Sequence, residues 1–219
     1  MRKYLQVLRK CPLFLEIEDS DLVKMLTCLG ARIEKFGKRE TVLSEGSLAE
    51  YIGIVLSGSV TVLRNDYYGT RSILSIGRES DVFAEAFACA SAKLPVSVVA
   101  NEPCEVMLIN SSRIIPRCEC GCDYHNRLIY NLMKDLATKT IMFHQRVEII
   151  SRRTTREKLL AYLMFYAKRV GSESFEIPFD RQELADYLEV DRSGLCAEIS
   201  KLRGEGVLES NKRHFRLIN

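Results

Sequence analysis

The chain has 219 residues, with 32 Lys+Arg against 29 Asp+Glu, eight Cys, three His and no Trp. Hydrophobic residues make up 47% and charged residues 28%, the balance of an ordinary globular protein with enough chain for one large or two modest domains. It holds no apolar run of about 18 residues and no secretory core in its first ten residues, and Pro and Gly are too few for a disordered chain. The expectation is therefore a cytoplasmic protein with no membrane partner, and a net charge of +3 neither demands nor excludes nucleic acid.

In chain order, Asp21–Leu29 reads as a short amphipathic helix. From about 30 to 115 the chain reads as strands: 41–43, 51–56, 59–63, 72–76, 96–100 and 105–109 are β-branched or alternating runs, punctuated by Gly37, Gly46, Gly58, Gly69 and Gly77. Short strands at such spacing predict an antiparallel barrel or roll, placed in a first domain over residues 1–123.

That domain ends in Cys118-Glu-Cys-Gly-Cys122, with His125 three residues on. Thiolate and imidazole suit zinc or an iron–sulfur cluster, although Cys-x-Cys is tighter than the usual structural zinc spacing. Neighbouring thiols can also form a redox pair, or can be inert in a reducing compartment. Cys11, Cys28, Cys104 and Cys196 read as small buried hydrophobes.

Residues 124–150 contain neither Pro nor Gly and predict one long helix. Ile129, Leu132, Leu136, Thr140, Phe143, Val147 and Ile150 follow one another at 3, 4, 4, 3, 4 and 3 residues, a heptad seam with a polar Thr140 in it. Two readings of that face stand: packing on the helix's own domain, or pairing with a second copy.

The pattern breaks at 150–153, a hinge into a third region over 151–219. Thr154 and Glu157 make a capping box for a helix over 156–169 that ends near Gly171. After a short strand at 174–178, Asp180 and Glu183 cap a second helix whose Leu184, Ala185 and Leu188 face inward. Asp191 caps a third, with Leu195, Ile199 and Leu202 on its apolar side. Two short helices joined by three or four residues read as a helix-turn-helix, with a plain helical hairpin as the alternative. The alternation about Asn211-Lys212 adds a β-hairpin wing.

A helix-turn-helix lays its second helix in the major groove with the first residues at the base edges. Arg192 and Ser193 hold those positions, and Arg192 suits a bidentate hydrogen bond to guanine. Arg181, Gln182, Ser200, Lys201, Lys212, Arg213 and His214 are placed for phosphates, which position without specifying sequence. Residues 151–219 carry 13 Lys+Arg against 11 Asp+Glu, so any positive surface there is a matter of local arrangement. No G-x-S-x-G, P-loop or H-E-x-x-H occurs, and the expectation is a protein that is not an enzyme.

The α+β succession of roll, long helix and winged helix resembles the cAMP receptor protein/FNR (Crp/Fnr) family of bacterial transcription regulators. The resemblance is carried by 54–62, 80–87, 154–163, 180–188 and 191–195. It implies a homodimer on a palindromic operator in double-stranded DNA, RNA polymerase as a further partner, and a cyclic-nucleotide-type sensor domain that biases the DNA domains. Its effector site would fall on Phe83, Ala84, Glu85, Ala86, Leu94 and Pro95. In cAMP-binding members a Gly-Glu takes the ribose and an Arg-Ser the cyclic phosphate. Here Glu85 keeps the Glu position, but Ala84 replaces the Gly and Leu94-Pro95 the Arg-Ser, which argues against cyclic AMP and leaves two readings of the apolar loop, a different small effector or no ligand at all with the loop filling the roll.

Overall fold

The computed structural model describes residues 2–65, 71–114 and 123–218. They form two compact units, Met1–Lys139 and Thr140–Asn219. The first opens with α1 (Leu5–Leu8) and α2 (Asp19–Cys28), followed by β1 (Arg32–Phe36), β2 (Thr41–Leu43), β3 (Tyr51–Ser57), β4 (Val60–Asn65) and β5 (Arg71–Gly77). Then come β6 (Val82–Phe83), α3 (Glu85–Cys89), β7 (Ser97–Ala100) and β8 (Cys104–Asn110). The strands make two antiparallel four-stranded sheets, ordered β1-β8-β3-β6 and β2-β7-β4-β5.

Strand β3 shows why the sheets face each other. Its residues Ile52 to Leu56 are all buried, so both of its faces are covered. Successive side chains on a strand point to opposite faces. Ile52, Ile54 and Leu56 join Leu22, Met25 and Leu26 of α2 in one cluster. Val55 joins Val60, Val98 and Val106 in another, between the sheets. Gly53 in the same strand has a steric reason: a Cβ there would lie 2.1 Å from the Phe83 ring, whose strand pairs alongside.

Helix α4 (Asp123–Ile150) runs out of this unit. Leu128 and Leu132 are buried in the α2 cluster, with Ile129 and Leu136 packed against it. This corrects the expected seam: Ile129, Leu132 and Leu136 face the chain's own core, because that core offers the nearest apolar cover. Of the other seam residues, Thr140 is exposed, Phe143 and Val147 are 64% and 45% exposed, and Ile150 is half-buried. The neighbouring row also reaches solvent, with Tyr130, Met133 and Ile141 exposed by 56%, 64% and 60%.

The second unit holds α5 (Thr155–Val170), β9 (Ser174–Glu176), α6 (Arg181–Leu188), α7 (Arg192–Gly204), β10 (Leu208–Asn211) and β11 (His214–Leu217). The strands form one sheet, β10-β11-β9. Both capping boxes are present, Thr154 with Glu157 and Asp180 with Glu183, and Gly171 closes α5 in the left-handed region at φ 73°. Leu159, Leu163, Leu184, Leu188, Leu195, Leu202 and Phe215 are fully buried in one core with Ile149 from the end of α4. Among the described residues, no helix is long and apolar enough to cross a membrane.

Cys118, Cys120 and Cys122 lie outside the described residues. Cys11 and Cys104 are buried as expected, and Cys196 is half-buried. Cys28 departs from that expectation: it ends α2 on the exposed side.

Candidate nucleic-acid interface and the loop before α3

Helices α6 and α7 are separated by Glu189, Val190 and Asp191. Glu189 turns the chain in the left-handed region at φ 53°, and Lys158 Nζ steadies the turn by donating to the carbonyls of Leu188 and Glu189 at 3.2 and 3.3 Å. The Asp191 carboxylate then accepts the Gly194 N–H at 2.8 Å and the Ser193 hydroxyl, satisfying free donors at the start of α7. Those hydrogen bonds, Ser193's first, hold the Asp191 carboxyl below its ordinary range. At the same end of α6, Arg146 of α4 lies 4.6 Å over the Tyr187 ring and donates to the Tyr187 carbonyl at 3.4 Å.

The buried face of α7 leaves Arg192, Ser193, Ala197, Ser200 and Lys201 outside. Arg181, Gln182, Arg192, Lys212, Arg213 and His214 line one open groove of about 650 Å³ between the two helices and the wing, with Glu176, Asp180 and Asn211. Ser193, Ser200 and Lys201 are not on that groove's wall. Six of the nine residues expected at DNA are thus brought together.

The nine divide by what already holds them. Arg181 donates to Ser210 Oγ at 2.9 Å and sits 4.7 Å over the Phe215 ring, and burial lowers its pKa. Gln182 donates to Asp186 at 2.8 Å, Arg213 lies 3.7 Å from the Glu183 carboxylate, and His214 Nε2 is 3.1 Å from Ser174 Oγ. The Ser193 and Ser200 hydroxyls donate to Asp191 and to the Cys196 carbonyl. The exposed Lys201 stands in the field of Glu205. Arg192 and Lys212 are exposed, and among the described residues their side chains have no hydrogen-bond or ion-pair partner. Lys212 also sits at the wing's turn with φ 50°.

The residues expected at an effector site are dispersed. Phe83 is buried between the sheets and Leu94 in the α2 cluster, while Ala86 and Pro95 are exposed. Ala84, half-buried, takes the left-handed conformation at φ 63° that opens α3. Glu85 is 5% exposed, and its carboxylate meets Lys139 of α4 at 2.8 Å. Asp135, one turn before, meets the same ammonium at 2.9 Å. Lys139 and Asp135 were not readable as site residues, because nothing in a helix pattern marks a partner 54 residues away.

Among the described residues, no three His, Cys, Asp or Glu are placed to hold a metal ion. His125 is buried, with Nε2 at 2.9 Å from the Ile114 carbonyl, so that nitrogen carries the proton.

A strand roll followed by a long helix and a winged helix-turn-helix is the architecture of a DNA-binding regulator. Residues 33–118 match the model of the cyclic nucleotide-binding domain, and residues 157–219 that of the Crp-like helix-turn-helix domain. The chain belongs to the Crp/Fnr family of transcription regulators. It is similar to the transcriptional activator protein FnrL of Cereibacter sphaeroides, 23% identical over 193 residues, 80% of this chain and 72% of that protein. Solved structures share the fold. FixK2 from Bradyrhizobium japonicum has a TM-score of 0.61 at 21% identity, covering 86% of this chain and 93% of its own. The c-di-GMP responsive regulator CLP of Xanthomonas campestris has a TM-score of 0.68 at 17% identity, covering 92% and 100%.

Proposed function

We propose that the chain acts in the cytoplasm as a homodimer on a palindromic operator, and that cyclic AMP is not its signal. The carrying observation is the groove of the second unit, where Arg192 and Lys212 present cations beside the start of α7 that have no partner among the described residues. In this reading Arg192 donates to guanine O6 and N7 in the major groove, and the wing's Lys212 contacts a phosphate. The near-neutral charge suits such a reader, since non-specific affinity for duplex grows with the number of phosphates neutralised. Acting on transcription from that site brings in RNA polymerase, by contact or by occlusion.

Pairing through α4 is supported by its exposed apolar residues, Tyr130, Met133 and Ile141 on one row and Phe143 and Val147 on the row beside it. A monomer gains nothing by showing such a row to water, whereas a second copy covers it. Two recognition helices in a dimer reach half-sites roughly 34–36 Å apart. Against cyclic AMP stand Glu85, whose carboxylate is engaged by Lys139, and Pro95, which has no N–H to offer a phosphate.

The test is selection of bound duplexes from a random pool at about 150 mM salt, near physiological ionic strength. A palindrome should be enriched, with no change on adding cyclic AMP. Ile141→Glu should sediment as a monomer and lose the palindrome. An enriched single half-site, no enrichment, or a monomeric wild type overturns the reading.

A further inference from the structure

Three oxygens converge on the ammonium of Lys139. The Val82 carbonyl and a Glu85 carboxylate oxygen lie at 2.8 Å, and an Asp135 carboxylate oxygen at 2.9 Å. The Glu85 and Asp135 side chains are 7% and 8% exposed, against 40% for Lys139, whose stem reaches in from the surface. A lysine ammonium has three N–H donors, and here two are hydrogen-bonded, to Val82 and Glu85, while the Asp135 carboxylate adds an ion pair outside hydrogen-bond geometry. The start of β6 and the start of α3 supply a carbonyl and a carboxylate, while α4 supplies a carboxylate and the cation.

The charge balance defines what this site takes. Two buried carboxylates against one ammonium leave it net negative, which repels phosphates and other anions and favours a cation with N–H groups. Burial pulls the Lys139 pKa down, but Glu85 and Asp135 outweigh it and the net shift is upward.

Position gives the site its consequence. Lys139 ends the first compact unit, and Thr140 to His144 are all exposed. Upstream, α4 has other anchors: Leu128 and Leu132 in the core, and Asn131, which donates to the carbonyls of Leu13 and Leu15. Loss of the ammonium therefore frees the last turn on the roll without unfolding it.

We propose that Lys139 is the roll's resident ligand, a tethered ammonium in a three-oxygen site formed by Val82, Glu85 and Asp135, which fixes α4 with no diffusible effector bound. When the side chain is cut back, the same site accepts a free primary alkylammonium. Lys139 is a positioning residue, and its effect on operator affinity rests on the DNA-binding dimer proposed above.

The experiment uses the full chain with Lys139→Ala, and n-propylammonium as the probe, since it replaces the atoms removed. The first readout is amide hydrogen exchange over 135–143, which does not depend on DNA. Lys139→Ala should speed exchange there by about tenfold, as for a released helix turn. Millimolar n-propylammonium should restore protection, whereas tetramethylammonium and KCl at equal ionic strength should not. Operator titration at matched salt is the second readout, with a loss of about tenfold and the same pattern of rescue. Glu85→Gln, nearly isosteric, should reproduce the faster exchange and should not respond to the amine. Unchanged exchange in both variants, absent rescue, or equal rescue by KCl overturns the proposal. Rescued exchange without any operator binding by the wild type overturns the dimer reading instead and leaves the ammonium site standing.

Discussion

On α7 and the wing, Arg192 and Lys212 reach solvent with no partner among the described residues, while on α4 Lys139 is held by oxygens of its own chain, two through hydrogen bonds and one through an ion pair. The same residue classes are held differently, Arg192 and Lys212 exposed and Lys139 half-buried. A side chain that must recognise something else is left unsatisfied, so that contact with a base or phosphate replaces only water. A side chain that must fix geometry is held from within, because a buried unpaired carboxylate is costly. The second unit contains both kinds: Arg181, held by Ser210 and Phe215, belongs with Lys139 rather than with Arg192.

The comparison breaks most visibly at Arg192. Arg192→Ala should cost about 1–3 kcal/mol per half-site and relax selectivity at one base pair, with the melting temperature unchanged. In a dimer this acts twice. Lys212→Ala, by contrast, should weaken all duplexes alike and reduce the steepness of the log K against log salt plot by about one per protomer. Equal losses on operator and random duplex for Arg192→Ala would erase the difference between the two cations.

In the first unit the corresponding strike is at Gly53. An added Cβ would fall 2.1 Å from the Phe83 ring, so Gly53→Ala must push the ring or split β3 from β6. We expect a loss of about 1–3 kcal/mol in thermal unfolding, as for other overpacked cores, with operator selectivity kept in the folded fraction. A neutral result would mean that the two strands part freely there.

Arg181→Lys sharpens the boundary within the second unit. Lysine keeps the charge but loses the planar stack and the reach to Ser210. The expected loss is about 1 kcal/mol of stability, read as a lower melting temperature, with the salt dependence of DNA binding intact. If stability holds and the salt slope falls, Arg181 is a phosphate contact as the sequence alone suggested.

What could be read in advance follows the range of the interaction. Thr154-x-x-Glu157 and Asp180-x-x-Glu183 are local, three residues apart, and both boxes form. Most strands were legible from alternation, but β1 (Arg-Ile-Glu-Lys-Phe) is too polar and half-exposed to stand out, and β6 has only two residues. On α4, Ile129-Leu132-Leu136 and Tyr130-Met133-Ala137 are adjacent rows at the same spacing. Periodicity finds both and chooses neither; the choice was made by a core assembled from residues as distant as Leu22 and Met25 of α2 and as near as Ile109 and Ile114. Glu85 with Lys139 is of the same kind, and so is the sorting of the cations expected at DNA into those held and those without a partner among the described residues.

Asp191 offers the smallest effect, on the line between local and functional. Its carboxylate caps α7 through Gly194 and Ser193, next to the residue proposed to read the base. The folded carboxyl is held below its unfolded value, so its contribution is complete above that value and is lost as pH falls through the folded one. Asp191→Asn keeps an oxygen for the cap but removes the titration. Wild type and variant should therefore differ in melting temperature near neutral pH and converge as acid is taken below about pH 4, the ordinary aspartate range. A constant gap across that window would mean that the cap works through geometry alone, and that the charge at the start of α7 does not help hold Arg192 in place.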